Sequence, residues 1–119
     1  MRFLMSENLC STLQIDEMDE DRLLACLLSL NDLESTVLFY LFSHPDSTTK
    51  KIAHAVNRHR STVQKALEQL LSQGLALRKA NSLARGYAYE YSAISKTELK
   101  KAIVKDVREW CNIVEEKLA

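Results

Sequence analysis

Glycine and proline are nearly missing from this sequence: two of the first and one of the second in 119 residues. An all-β or loop-rich fold needs many tight turns, and tight turns draw on these residues, so both classes are excluded. The longest uncharged apolar-rich runs, Leu23–Asn31 and Ser35–Ser43, fall well short of the ~20 residues of a membrane span. The N-terminus has no charged start followed by a long apolar stretch, so no signal peptide is expected. The cysteines, Cys10, Cys26 and Cys111, are odd in number and show no Cys-x-x-Cys spacing, which predicts reduced thiols in a cytoplasmic setting. A Gly-rich phosphate loop, a His-Glu-x-x-His motif and a nucleophile with an evident base are all absent, so no enzyme is expected. His44, His54 and His59 are not spaced as metal ligands, and neither a metal nor a cofactor is expected.

What is present is 46% hydrophobic and 27% charged residues, a balance that folds. The length fits one domain over 1–119, mainly α with a small β-hairpin. The formal net charge is zero, but it is the sum of unlike segments. Residues 1–36 hold eight acids and two bases, residues 37–89 two acids and eight bases, and residues 90–119 six of each. Because screening hides charges beyond about 8–10 Å, the basic middle still presents a local positive field.

Residues 1–15 are weakly patterned and expected to fray. From Asp16 an acidic first turn leads into an apolar face carrying Met18, Leu23, Leu24, Leu27 and Leu28, which predicts a helix over 16–28. Asn31 and Glu34 read as a capping box before the apolar run Val37–Phe42, a helix expected to be deeply buried and to end at His44-Pro45. A short helix beginning at Ser47 or Thr48 carries Ile52, Ala53 and Val56. Asn57–Arg60 is a turn. Ser61-Thr-Val-Gln64 reads as a second capping box, opening a helix with Val63, Leu67, Leu70 and Leu71 on one face and Gly74 at its end. Leu75–Lys79 and Tyr87–Tyr91 alternate as strands around a turn at Asn81–Gly86. Ser95 and Glu98 form a third capping box, and a helix over 96–119 repeats Leu99, Ile103, Val107, Trp110, Val114 and Leu118 at three- and four-residue intervals.

A short helix, a turn, a longer amphipathic helix and a hairpin, in that order, make a winged helix-turn-helix over 29–95 with additional N- and C-terminal helices. The stretches Leu30-Asn-Asp-Leu-Glu34, Thr49-Lys-Lys-Ile-Ala53, Arg60-Ser-Thr-Val63 and Leu67–Leu75 resemble the winged-helix domain of archaeal TrmB-like transcriptional regulators, close relatives of the MarR-type regulators. The resemblance implies a DNA-binding regulator. At 119 residues there is no room for a separate effector domain, so the small one-domain form is expected, with its extra helices serving dimerisation.

The residues point to the same surface. With its apolar face turned to the core, the second helix leaves Arg60, Ser61, Thr62, Gln64, Lys65 and Glu68 open to solvent or DNA. Ser, Thr and Gln can hydrogen-bond base edges, and Arg and Lys can take guanine or phosphate. Thr49, Lys50 and Lys51 begin the preceding helix, where phosphate contact is expected. Arg58 lies in the turn, and His59 beside it reads equally as a base or phosphate contact or as a plain turn residue. Arg78, Lys79 and Arg85 make the wing basic, and Tyr87, next to Gly86, is within reach of a phosphate. Tyr87, Tyr89 and Tyr91 share one strand face and are expected to pack on the core or a neighbouring helix.

The apolar residues outside the winged core need cover. Leu24, Leu27 and Leu28 on the first helix, with Leu99, Ile103, Val107, Trp110, Val114 and Leu118 on the last, are the expected dimer interface. The predicted function is therefore a homodimeric regulator of double-stranded DNA. The alternatives are a winged-helix adaptor that binds protein only, and a repressor answering to a small ligand or to redox state.

Overall fold

The computed structural model describes residues 19–83 and 86–119. The expectations for residues 1–15, for a helix start at 16–18 and for Arg85 lie outside these, as does the side chain of Tyr87.

Helix α1 (Glu20–Leu28) begins at Asp19, whose carboxylate accepts from Arg22 N–H at 2.8 Å. Ser29 then turns left-handed (φ 56°) and Leu30 N–H closes on Ala25 at 2.9 Å. Helix α2 (Asp32–Ser43) opens on the expected capping box: Glu34 N–H donates to Asn31 Oδ1 at 2.8 Å, and Asn31 N–H donates to Glu34 Oε1 at 3.1 Å. Its Val37, Leu38 and Leu41 are buried, whereas Phe39, Tyr40 and Phe42 are only half-buried, and the helix ends before Pro45.

The next element corrects the sequence reading. Asp46 takes a positive φ of 58°, and Ser47–Thr48 becomes a short strand, β1, paired antiparallel with the hairpin. Only Thr48 acts as a helix cap, accepting from Lys51 N–H at 3.2 Å, and α3 (Thr49–Val56) follows. Asn57 turns left-handed (φ 57°), and α4 (Arg60–Ser72) starts directly after His59. The expected Ser61–Gln64 box does not form. Ser61 already lies inside the first turn, His59 offers no side-chain cap, and Gln64 is held by other partners described below.

Gly74 closes α4 as predicted. Its φ is 74°; Gly74 N–H donates to Leu71 at 3.0 Å and Leu75 N–H to Leu70 at 2.9 Å, satisfying two carbonyls of the last turn. A side chain at Gly74 meets no neighbour, so Gly74→Ala isolates the backbone cost. It is expected to lower the unfolding free energy by about 1–2 kcal/mol in urea denaturation, with no change in oligomeric state.

Strands β2 (Ala76–Leu83) and β3 (Gly86–Ala93) pair antiparallel along their whole length, in a sheet of order β1-β3-β2. The hairpin is longer than expected. Asn81–Leu83 are strand, not turn, because the Asn81 amide hydrogen-bonds Glu90 across the sheet instead of bonding its own backbone. Helix α5 (Lys96–Lys117), capped by Ser95, completes the chain.

One core gathers Leu38 and Leu41 from α2, Ile52 from α3, Val63, Leu67 and Leu70 from α4, Leu75, and Tyr91 from β3. Leu28, Leu99 and Ile103 belong to it as well, at 6%, 1% and 7% exposure. This corrects their assignment to a dimer interface: the protomer's own packing already covers them. Val107, Trp110 and Leu118 instead stay exposed on a helix whose 22 residues span about 33 Å. Cys26 is buried in the protomer, whereas Cys111 is free and exposed. Among the described residues no helix is long and apolar enough to cross a membrane.

Candidate nucleic-acid interface

Helix α4 is two-faced because its sequence is. Val63, Ala66, Leu67 and Leu70 recur at three- and four-residue spacing and are buried. The opposite face shows Arg60, Ser61, Thr62, Lys65 and Glu68, all exposed. No acid lies in the first turn, so the positive end of the helix dipole is not offset there.

Between α3 and the start of α4 lies an open cleft of about 500 Å³, lined by Lys50, Ala53, His54, Asn57, Arg58, His59, Arg60 and Thr62. Three of these carry full positive charge and none is acidic. Five of the residues expected from the sequence therefore converge on one surface: Lys50, Arg58, His59, Arg60 and Thr62. His54, on the surface of α3, is exposed and shares this cleft. The helical spacing from Lys50 to His54, one full turn, was the available signal. Lys51 is exposed at the same end of α3.

Two expected contact residues have other work. Thr49 Oγ1 donates to Gln64 Oε1 at 3.0 Å, and Gln64 Nε2 donates to the Tyr91 hydroxyl at 3.2 Å. The same amide reaches Glu68 Oε1 at 3.5 Å. Gln64 thus ties α3, α4 and β3 together from a half-buried position. It fixes how α4 sits against α3, so Thr49 and Gln64 are positioning residues, with little left for a base edge.

The wing is less basic than its sequence. Lys79 pairs with Asp46 at 3.2 Å, both well exposed, so its charge is partly offset. Arg78 lies over the Tyr89 ring at 4.4 Å. Strand register explains the pairing: Arg78 is opposite Tyr91 and Ala80 is opposite Tyr89, so all four share one face of the hairpin. Tyr91, near the sheet centre, is buried, whereas Tyr89, two residues further out, reaches beyond the core and is exposed. The expectation that both tyrosines pack inward holds for Tyr91 alone. Arg78 stacked on Tyr89 forms a cationic, aromatic-backed contact point on the wing.

Three core helices, a helix-turn-helix and a hairpin wing closed by a short third strand define a winged helix-turn-helix. Residues 24–97 match the family described as "Sugar-specific transcriptional regulator TrmB", and the chain belongs to that family. Such proteins are transcriptional regulators, not enzymes. The chain is 41% identical over 93 residues to the uncharacterized protein MJ1503 of Methanocaldococcus jannaschii, covering 77% of this chain and 70% of that one. A possible transcriptional regulator from Methanosarcina mazei shares the fold at a TM-score of 0.72 and 24% identity, over 85% of this chain and 87% of its own. The Staphylococcus aureus MepR F27L mutant, solved bound to an oligodeoxyribonucleotide, superposes at a TM-score of 0.52 and 22% identity, over 76% of this chain and 64% of its own.

Proposed function

We propose that this protein is a cytoplasmic transcriptional regulator that binds double-stranded DNA sequence-specifically as a homodimer. The observation that carries this reading is the single surface of Lys50, Arg58, Arg60 and Lys65 around the exposed face of α4, with no acid in the cleft it borders. Helix α4 enters the major groove, where Arg60, Ser61, Thr62 and Lys65 meet base edges. Lys50 and Lys51 on α3 hold phosphates and fix the register. Arg78 on the wing meets the backbone or the minor groove. That a DNA-bound protein shares the fold supports the docking mode.

Two copies place two α4 helices on half-sites about one helical turn apart, roughly 34–36 Å. The test is selection of bound sequences from random DNA, followed by titration of the selected site with salt. Six to ten phosphate contacts per dimer give a log–log slope of roughly −5 to −9. A flat salt dependence with no enriched sequence would instead favour a protein-binding adaptor.

A further inference from the structure

We propose that Tyr91 is a positioning residue that sets DNA specificity: with Thr49, its hydroxyl holds the Gln64 amide off the bases and so withholds an adenine-reading side chain. This rests on the DNA-binding reading above and adds a determinant that does not itself reach the DNA. Three observations carry it.

The first is where Gln64 sits. It lies in the N-terminal half of α4, one turn from Ser61 and from Glu68, both exposed on the outer face. The buried stripe of Val63, Leu67 and Leu70 runs along its other side. Gln64 therefore stands at the edge of the face that meets the major groove, at the end of the helix where base contacts are made. A glutamine amide pairs with adenine N6 and N7 together. Position and chemistry both offer Gln64 a base, and its partners within the protein take it away.

The second is how fully that amide is engaged. Oε1 accepts from Thr49 Oγ1 at 3.0 Å, and Nε2 donates to the Tyr91 hydroxyl at 3.2 Å. The Glu68 carboxylate, an acceptor only, lies 3.5 Å from Nε2 and fixes which end of the amide is the donor. Pairing with adenine uses one donor and one acceptor of the same amide and requires it to turn outward, which breaks both of its closer bonds. The Glu68 contact is exposed and long, so water competes for it; the Thr49 and Tyr91 contacts are part-buried and do the holding.

The third is the rigidity of the anchor. Tyr91 is 1% exposed and lies on the central strand, paired with Ser47 of β1 on one side and Arg78 of β2 on the other. Its ring belongs to the core, and among the described residues Gln64 is the hydrogen-bond partner of its hydroxyl. A hydroxyl left unpaired at that depth costs free energy, so Tyr91 holds Gln64 as firmly as Gln64 satisfies Tyr91.

Selection of bound sequences from random DNA by full-chain variants tests the proposal, with circular dichroism confirming that each variant stays folded. Gln64→Leu removes the amide and keeps the bulk. It is expected to weaken binding evenly, by about 10-fold or less, with the wild-type preference kept at every position. Tyr91→Phe with Thr49→Val frees the amide. Adenine should then be preferred about 10-fold or more at one position of each half-site where the wild type shows no such preference. Adding Gln64→Leu to that pair should abolish the new preference. A wild type that enriches no sequence overturns the DNA reading, and this role of Tyr91 with it. A wild type that enriches a site, beside a Gln64→Leu variant that loses preference at a single position, shows that Gln64 already reads a base and overturns the proposal alone. A Tyr91→Phe, Thr49→Val variant that keeps the wild-type preferences, or one that is folded yet enriches no sequence, overturns it as well.

Discussion

Arg60→Ala combined with Lys65→Ala is expected to lower affinity for the selected DNA site by at least about 100-fold, while the circular dichroism spectrum and the urea midpoint stay at wild-type values. Both side chains are exposed on the outer face of α4, and no hydrogen bond or ion pair joins either to another described side chain. Their removal therefore leaves the fold without an unpaired group or a cavity. On DNA each bidentate pairing with guanine is worth about 1–3 kcal/mol, and a two-fold dimer makes each pairing twice. Even at the low end, removing four such pairings exceeds the ~2.7 kcal/mol that a 100-fold change requires. The salt dependence discriminates further. If either residue holds a phosphate, the log–log slope becomes shallower by about one for each phosphate no longer neutralised, whereas removing base-edge hydrogen bonds alone leaves it unchanged. Unchanged affinity in the double variant would remove α4 from the interface.

Leu67→Ala, on the opposite face of the same helix, has the reverse signature. Leu67 is fully buried among side chains of the central core. Truncation removes apolar packing and leaves a cavity that rigid neighbours fill only in part, a loss of about 2–5 kcal/mol. That is a large share of the roughly 5–15 kcal/mol available to a domain. The thermal midpoint should fall by roughly 10 °C or more in differential scanning calorimetry. DNA affinity measured well below that midpoint should change little, because the DNA-facing side chains are intact. A small stability loss together with a large binding loss would mean that α4 is rotated from the orientation described.

Together these two variants separate what α4 does for the fold from what it does for recognition. The separation is visible in the sequence, because a helix period sorts residues onto faces without any tertiary information. Val63, Leu67 and Leu70 fall to the core, while Arg60 and Lys65 fall to the surface. The capping box of α2, the stop at Pro45 and the left-handed Gly74 are equally legible, since each is an interaction within four residues or a constraint on a single backbone dihedral.

Features that depend on residues far apart in the chain are not legible. Ser47–Thr48 looks like a helix start, and it becomes a strand because Tyr91 and Glu90 arrive beside it. Gln64 reads as a base-contacting residue, until Thr49 and Tyr91 claim its amide. Lys79 reads as a free wing charge, until Asp46 stands next to it. Tyr89 and Tyr91 share a strand face in sequence, yet only the length of the hairpin decides that one is core and the other is surface.

The terminal helix shows the same division. Its apolar repeat can be read from residue 99 to residue 118, and the sequence alone requires that stripe to be covered. Where the cover changes from the protomer's own core to solvent is set by how far α1 extends along α5, and that boundary falls after Ile103. The sequence by itself determined the order of the elements, their buried faces and the basic middle segment, because these follow from local periodicity and charge. Tertiary structure decided which polar groups stay unpaired at the surface and which apolar residues stay exposed, because both depend on what the rest of the fold has already paired or buried.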